Sequence, residues 1–347
     1  MILINYIPDK CRRIAVVGMA KNAGKTVILN RLISEMTKEG ITIGITSTGR
    51  DGEEQDLVTL TEKPRIYVPV GTLLATTEIC LKNSDARVEV LETTGENTPM
   101  GQVVVIRVRQ PGFIQIAGPD TNRGILMISK ILEKHGASRV LVDGALDRKA
   151  SASPAITDGC ILATGAVLHR DPDVAVAMTR HQTEMFSLPV IENIYEVKRQ
   201  WETLKTKGTV GAIDDEGELR VIPVTSAINN GRDLGNAMQE KDMCLLINGS
   251  LTGKTIKEIT QVTSLYRKVP LVVSDATKIF MSENDWKIWK RMGVILKVIN
   301  PVNLLMVTVN PISPEGYEFD KKTFREKMKN ALEPIPVVDA LEEGGLD

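Results

Sequence analysis

Short runs of apolar residues alternate along this chain with segments in which apolar residues recur every three or four positions. The short runs are typical of buried strands, and the longer spacing is typical of helices that bury one face. Turns rich in glycine, proline and polar residues separate the two kinds of segment. This alternation indicates a largely parallel sheet with helices on both faces, joined by right-handed crossovers. The predicted fold class is therefore α/β.

The first strand and the first helix are the most clearly marked elements. The apolar run from Ile14 to Val17 predicts a strand, and residues 25–38 predict a helix that stops before Gly40. Residues 41–46 predict the second strand. The expected buried face of the helix consists of Ile28, Leu29, Leu32, Ile33 and Met36.

The pattern is less regular between residues 63 and 110. A helix is expected over residues 72–81, and two strands are expected over 87–92 and 102–108, with a turn-rich segment between them. We interpret this region as a β-rich elaboration of the sheet.

The remaining chain suggests a second domain. Strand-like runs at residues 139–142 and 161–166 continue the first sheet, and the polar stretch at 203–208 suggests a boundary. We therefore expect one domain over residues 1–204 and a C-terminal α/β domain over residues 205–347.

The composition changes this picture little. Hydrophobic residues make up 42% of the 347 residues, charged residues make up 25%, and the net charge is −1. Such a chain has no general positive field for nucleic acid or an anionic membrane. No apolar run is long enough to span a bilayer, and the first residues lack a signal-peptide core. The four cysteines lack partners at metal-ligand spacing, which predicts buried thiols, and we expect a cytoplasmic protein.

The loop after the first strand carries the clearest chemistry. Gly18 and Gly24 are separated by five residues, and Lys25-Thr26 then opens the helix. A glycine-rich loop between a strand and a helix can bind phosphate through its backbone N–H groups and the positive end of the helix. Lys25 can neutralise phosphate oxygens, and the Thr26 hydroxyl can bind Mg²⁺. The residues expected to bind a nucleotide are Gly18, Met19, Ala20, Lys21, Asn22, Ala23, Gly24, Lys25, Thr26 and Val27.

Two carboxylates are candidates for the same site. Asp143 closes the buried strand 139–142 and precedes Gly144, which is how P-loop proteins place a carboxylate beside the Mg²⁺ of a triphosphate. Asp51 follows the second strand and is a candidate for another magnesium contact, although a solvated acidic turn explains it equally well. Lys25, Asp143 and Asp51 are therefore the predicted catalytic residues, and Thr26, Asp143 and Asp51 the predicted metal ligands. Arg148 is a weaker candidate for stabilising charge.

These motifs resemble the group of P-loop proteins that contains dethiobiotin synthetase and the cobyrinic-acid amidases. The similarity rests on the phosphate loop, the strand that ends at Val142-Asp143-Gly144, and the strand end Ala163-Thr164-Gly165. The phrases Ser47-Thr-Gly-Arg-Asp-Gly-Glu53, Val142-Asp-Gly-Ala-Leu-Asp-Arg148 and Asn310-Pro-Ile-Ser-Pro314 further resemble the ATPase subunit of the reactivating factor for adenosylcobalamin-dependent lysine 5,6-aminomutase and ornithine 4,5-aminomutase.

The resemblance implies an ATP-hydrolysing protein that releases damaged cobalamin from an aminomutase. It implies Mg²⁺ and ATP as ligands, and a companion reactivase subunit and the mutase as partners. Many members of the wider group carry a lysine five places before the phosphate-binding lysine, which reaches the nucleotide of a partner subunit. That place is Ala20 here, with Lys21 one position later, and a homodimer remains one expectation.

A second interpretation is an ATP-dependent ligase or kinase of the dethiobiotin-synthetase type. It predicts a pocket for an organic acceptor beside the γ-phosphate, lined by Thr94, Thr98, Asn122 and Arg123. The chain lacks the guanine-reading signature Asn-Lys-x-Asp, which favours ATP over GTP. The segment from Gly249 to Thr255 resembles another phosphate loop, but it has too few residues between its glycines and predicts an ordinary helix start.

Overall fold

The computed structural model describes residues 2–48, 66–145 and 151–339. The first part of the chain forms β1 Arg13–Gly18, α1 Lys25–Lys38, β2 Ile43–Ser47, β3 Ile66–Val68, β4 Leu73–Thr77, α2 Glu78–Lys82, β5 Arg87–Thr98, β6 Gly101–Gln110, β7 Gly112–Ile114, α3 Asn122–Lys134, β8 Arg139–Ala145, β9 Gly159–Gly165 and α4 Pro172–Phe186. The middle part forms α5 Ile194–Lys207, β10 Val210–Asp214, β11 Leu219–Ile222, α6 Gly231–Ala237, β12 Asp242–Ile247, β13 Leu251–Thr252, α7 Gly253–Val262, β14 Leu271–Val273, β15 Ile279–Phe280, α8 Glu283–Met292 and β16 Leu296–Val298. The last part forms β17 Leu304–Asn310, α9 Lys321–Leu332 and β18 Val337–Asp339.

The main sheet contains nine of the described strands, in the order β18-β17-β9-β1-β8-β2-β4-β6-β5. The seven strands from β18 to β4 are parallel, and the hairpin β5–β6 adds an antiparallel edge. Parallel strands at the centre of such a sheet are buried on both faces, which explains their near-continuous apolar sequences. The predicted α/β class with a large, mostly parallel sheet is confirmed.

Helices cover both faces of this sheet. On one face, Leu29 and Leu32 of α1 share a core cluster with Leu141 of β8. On the other face, α3 packs through Leu132 against Val140 of the same strand. Successive side chains of a strand point to opposite faces, so β8 contributes to both apolar layers. Strand β8 is therefore packed between α1 and α3.

The prediction of a helix over residues 72–81 is wrong. Residues 73–77 form strand β4, and the helix α2 begins only at Glu78. All five residues of β4 are buried because the strand lies between β2 and β6. An apolar run of this length has no periodicity that separates a buried strand from a helix, and the threonines at its end favour the strand.

The chain divides differently from the expected boundary at residue 204. One compact unit comprises residues 1–180 and 303–347, and the other comprises residues 181–302. The polar stretch at 203–208 is the exposed end of α5 rather than a linker. The last strands, β17 and β18, belong to the main sheet, where β17 lies beside β9. Strand pairing between such distant segments leaves no signal in the local sequence.

The second unit has its own sheet, in the order β11-β10-β12-β14-β16. The strands β12, β14 and β16 are parallel, and β10 and β11 form an antiparallel hairpin at one side. Between α4 and α5, Val190 forms an isolated parallel bridge with Val298. In the described parts of the chain, we find no helix with the length and apolar character needed to cross a membrane.

Candidate functional site

The loop between β1 and α1 has a backbone that depends on its glycines. Gly24 has a φ of 94° and Asn22 a φ of 64°, so both lie in the left-handed region. A Cβ at Gly24 would also lie 3.1 Å from Cβ of Asn310. Glycine adopts this backbone without steric cost, and asparagine tolerates it better than most residues. The sequence therefore fixes a sharp turn directly before Lys25.

The N-terminus of α1 has no capping side chain. Its N-cap residue is Gly24, and the first helical bond runs from the Ile28 N–H to the Gly24 carbonyl at 3.1 Å. Within the described ranges, no backbone carbonyl accepts a hydrogen bond from the N–H groups of Gly24, Lys25 or Thr26. These donors and the positive end of the helix dipole together form a site that favours an anion.

Not every amide of the loop faces outward. The Met19 N–H donates to the Ala163 carbonyl of β9 at 2.8 Å, and the Ala23 N–H donates to the Ala20 carbonyl at 3.3 Å. These two amides hold the shape of the loop and are not available to a ligand. The nucleotide-binding role expected for the loop residues from Gly18 to Val27 remains a prediction, in which the amides of Met19 and Ala23 serve the fold of the loop. The amides nearest the helix, from Gly24 onward, remain the available donors.

Lys25 and Asp143 lie together, as the predicted site requires. Strands β1 and β8 are parallel neighbours, and Val16 pairs with Asp143. The Lys25 Nζ atom lies 2.9 Å from the Asp143 Oδ1 atom, and the two side chains are 26% and 22% exposed. The two residues are far apart in the sequence, and the sheet order brings them to one carboxyl edge.

The strand end at Asp143 is held by its neighbours. The Thr48 N–H and hydroxyl both donate to the Asp143 carbonyl, at 2.9 and 3.3 Å. Gly144 is in close contact with Ser151, because a Cβ at Gly144 would lie 2.1 Å from the Ser151 Oγ atom. The position after Asp143 therefore requires glycine on steric grounds. The sequence reasoning missed Ser151, and no local motif around this serine indicates its contact.

The other residues of the predicted site fall into two groups. Those of the loop and the first turn of α1 lie at the same edge of the main sheet, and two others lie outside the described residues. Thr26 is partly exposed in the first turn of α1, and Val27 beside it is 40% exposed. Lys21 and Asn22 are exposed at the tip of the loop. Asp51 and Arg148 lie outside the described residues, so their predicted roles remain predictions.

Asn310 supports the loop from the end of β17. Its Nδ2 donates to the Asn22 carbonyl at 3.4 Å, and its Oδ1 accepts from the Ile312 N–H at 3.1 Å. Gly165 of β9 packs against the Asn310 carbonyl, so closely that a Cβ there would lie 2.1 Å from the oxygen. The sequence of the Asn310-Pro311 turn does not indicate this supporting role. Its contact with the loop depends on β17 entering the first sheet, which local sequence does not reveal.

The hydroxyls proposed to line an acceptor pocket have other partners. Thr94 donates to the Val103 carbonyl at 2.6 Å, and Thr98 donates to the Gly101 carbonyl at 3.0 Å. Both bonds lie within the hairpin β5–β6. Asn122 begins α3, whose N-cap Thr121 accepts from the Gly124 N–H at 3.0 Å. The plain hairpin therefore accounts for both threonines.

The segment from Gly249 to Thr255 is a helix start in the second unit. Thr252 caps α7 by accepting from the Thr255 N–H at 3.2 Å. The Thr255 hydroxyl is fully buried and donates to the Ala227 carbonyl at 3.1 Å. Lys254 is exposed and lies 3.8 Å from Glu258. Since the Thr255 hydroxyl donates to a buried carbonyl, the segment has the geometry of a capped helix rather than of a phosphate loop.

The cysteines are all buried thiols. Burial raises the pKa of Cys160 to about 12 and that of Cys244 to about 12. Burial, followed by the charge of Asp158, also raises the pKa of Cys11. A thiol with a raised pKa stays protonated near neutral pH, whereas the thiolate is the form that acts as a nucleophile.

The donor set at the strand edge fits Mg²⁺. This ion prefers oxygen ligands and is commonly held by one or two protein groups together with substrate phosphates and waters. The Asp143 carboxylate and the Thr26 hydroxyl supply oxygens of the right kind. In the described residues, there is no group of three or more histidine, cysteine, aspartate or glutamate side chains that could hold a metal by themselves.

Comparisons with known proteins found no relative of this chain. No protein-family model, no curated protein sequence and no solved structure matches this chain.

Proposed function

We propose that this protein is a P-loop ATPase that binds ATP together with Mg²⁺ at the edge of its main sheet. The observation that carries the proposal is the 2.9 Å contact between Lys25 and Asp143, at the end of a glycine loop that opens an uncapped helix. A cation, a row of backbone donors and a carboxylate are the groups that phosphoryl transfer requires. The neighbouring strand ends supply the framework that holds these groups in place.

Each group has a distinct task in this proposal. Lys25 and the amides at the start of α1 bind the phosphate oxygens and stabilise the charge that develops on them during transfer. Thr26 and Asp143 would hold Mg²⁺, which would neutralise charge on the bound phosphate groups. Positioning and charge stabilisation account for most of the catalysis of phosphoryl transfer to water. Asp51 is proposed to hold the metal or to orient the attacking water.

The sequence phrases that resemble the aminomutase reactivating factor supply the finer proposal. On this proposal, ATP hydrolysis drives the release of damaged cobalamin from an adenosylcobalamin-dependent aminomutase, with a companion subunit. The proposal of a ligase or kinase has less support, because the hydroxyls of Thr94 and Thr98 are used within their hairpin.

A phosphate-release assay tests both levels of the proposal. The purified chain is incubated with Mg·ATP alone, with an inactivated aminomutase, and with the mutase and the companion subunit together. We expect slow hydrolysis alone, stimulation by the partners, and recovery of mutase activity. Hydrolysis without stimulation or recovery would contradict the reactivation role but not the ATPase. Hydrolysis that depends strictly on a small organic acceptor would favour the ligase or kinase.

A further inference from the structure

A cavity of about 310 Å³ lies at the amino-terminal edge of the main sheet, opposite to the edge that carries the glycine loop. Its walls come from the N-terminal segment, the end of α1, the turn that leads into β2 and the start of β8. Ligand pockets commonly measure about 300–1,000 Å³, so this cavity has the size for a small metabolite rather than for a nucleotide. The apolar side chains that line it are Ile2, Ile4, Ile7, Met36 and Ile41.

Hydrogen bonds hold both walls of the cavity. The Ile4 N–H donates to the Glu35 Oε2 atom at 3.1 Å, which ties the N-terminal segment to α1. Gly40, with a φ of 71°, ends this helix in a turn that glycine adopts without steric cost. The Ile41 N–H then donates to the Met36 carbonyl at 2.9 Å. The cavity is therefore formed by contacts of the fold itself.

Arg139 brings a positive charge to the cavity. Its side chain is only 12% exposed, and its Nη1 atom donates to the carbonyls of Asp9 and Cys11. Its Nη2 atom lies 3.2 Å from the Oδ1 atom of Asp9, whose side chain is fully exposed, and solvent weakens such an ion pair. Among the residues that the structure describes, the Nε atom of Arg139 has no hydrogen-bond partner. This edge of a guanidinium group can bind a carboxylate through two parallel hydrogen bonds.

The charges around the cavity favour a ligand that carries both signs. Arg139 is positive, whereas Asp9 and Glu39 are negative. A simple anion would bind Arg139 but would lie near two carboxylates, and a simple cation would leave the free edge of Arg139 without a partner. A zwitterion avoids both costs, because its carboxylate can bind Arg139 while its ammonium group lies beside the exposed Glu39.

We propose that this cavity binds a small zwitterionic amino acid with an apolar side chain, such as L-leucine. The carboxylate of the ligand binds the Nε edge of Arg139, and its ammonium group pairs with Glu39. Its side chain packs against Ile4, Ile7 and Ile41, which removes apolar surface from water. The site is separate from the proposed nucleotide site and does not depend on that function.

NMR of the full chain, labelled at the isoleucine methyl groups, tests the proposal by titration with L-leucine. We expect the signals of Ile4, Ile7 and Ile41 to shift, and those of Ile256 and Ile259 in the core of the second unit to stay unchanged. Two analogues are titrated in parallel. 4-Methylpentanoate lacks the ammonium group and 3-methylbutylamine lacks the carboxylate, so each should bind more weakly than L-leucine by about three- to tenfold.

Two variants separate the contacts of the two charges. Glu39→Gln should weaken the binding of L-leucine by about threefold without weakening that of 4-methylpentanoate, because only the ammonium contact is lost. Arg139→Lys should weaken both ligands by about tenfold, because a lysine cannot form the two parallel hydrogen bonds. Glu326→Gln is the matched control, since this exposed glutamate of α9 does not line the cavity, and it should leave all affinities unchanged.

The methyl spectrum of each variant also shows whether it is folded. Glu39 is exposed, so its substitution tests the site even if Arg139→Lys disturbs the N-terminal segment. The proposal is overturned if millimolar L-leucine leaves the signals of the lining isoleucines unchanged. It is also overturned if L-leucine and 4-methylpentanoate bind equally well, or if a folded Glu39→Gln variant binds L-leucine as the wild-type chain does.

Discussion

Gly144 has no room for a side chain, and this constraint holds the proposed metal ligand in place. Ser151 is fully buried, so its hydroxyl cannot turn into solvent when a methyl group is added at Gly144. The sequence identified Asp143 through its position at the end of an apolar run. It could not identify Ser151 or Asn310, because their contacts arise only when separate strands meet at one edge.

We expect Gly144→Ala to lower the free energy of unfolding by about 1–3 kcal/mol, since the added Cβ would overpack the site. The contacts at risk are 2.1 Å to the Ser151 Oγ atom and 2.7 Å to its Cβ. A second change, Ser151→Gly, should recover part of the loss because it removes both atoms. Urea unfolding measures each variant.

Gly95→Ala is the control for this series. No described atom lies within 4 Å of a Cβ built at Gly95, and we expect a change of less than about 1 kcal/mol. Equal losses for Gly95→Ala and Gly144→Ala would contradict the steric explanation.

At the scale of elements, the sequence predicts best where one helix or strand has a strong pattern of its own. The helix over residues 25–38 is found at Lys25–Lys38, because its apolar residues keep one face and Gly24 and Gly40 mark its ends. The helix expected over residues 72–81 fails because a strand buried on both faces lacks periodicity. The pairing of β17 with β9 in the main sheet could not be predicted, since the two strands lie far apart in the sequence.

The position of β17 and β18 in the main sheet predicts how fragments of the chain behave. A fragment of residues 1–204 lacks β17 and β18, so the edge of β9 and its buried residues Ile161 and Leu162 lose their cover. We expect this fragment to aggregate or to unfold without a cooperative transition. A chain in which a long Gly/Ser linker replaces residues 181–302 keeps the main sheet and should unfold cooperatively. Urea titrations followed by circular dichroism compare the two chains, and cooperative unfolding of the 1–204 fragment would favour the boundary expected from sequence.

At the scale of the whole molecule, the proposed site is a product of sheet order. The glycine loop after β1, the carboxylate on β8 and the asparagine at the end of β17 come from three distant parts of the chain. The parallel strands place all three at one carboxyl edge, as α/β proteins commonly do with ligand-binding groups. The loop and Asp143 could be predicted because each follows a strongly apolar strand. The support from Asn310 and the use of two loop amides by the fold itself required the three-dimensional arrangement.

The most direct test of the nucleotide site is equilibrium binding of Mg·ATP to the purified chain by calorimetry. We predict measurable binding by the wild-type chain and an affinity lower by about tenfold or more for Lys25→Ala, which loses a charge-assisted contact to phosphate. Lys38→Ala, at the exposed far end of the same helix, should bind as the wild-type chain does. No heat of binding with Mg·ATP or Mg·GTP, or equal binding by the wild-type chain and a folded Lys25→Ala variant, would contradict the account.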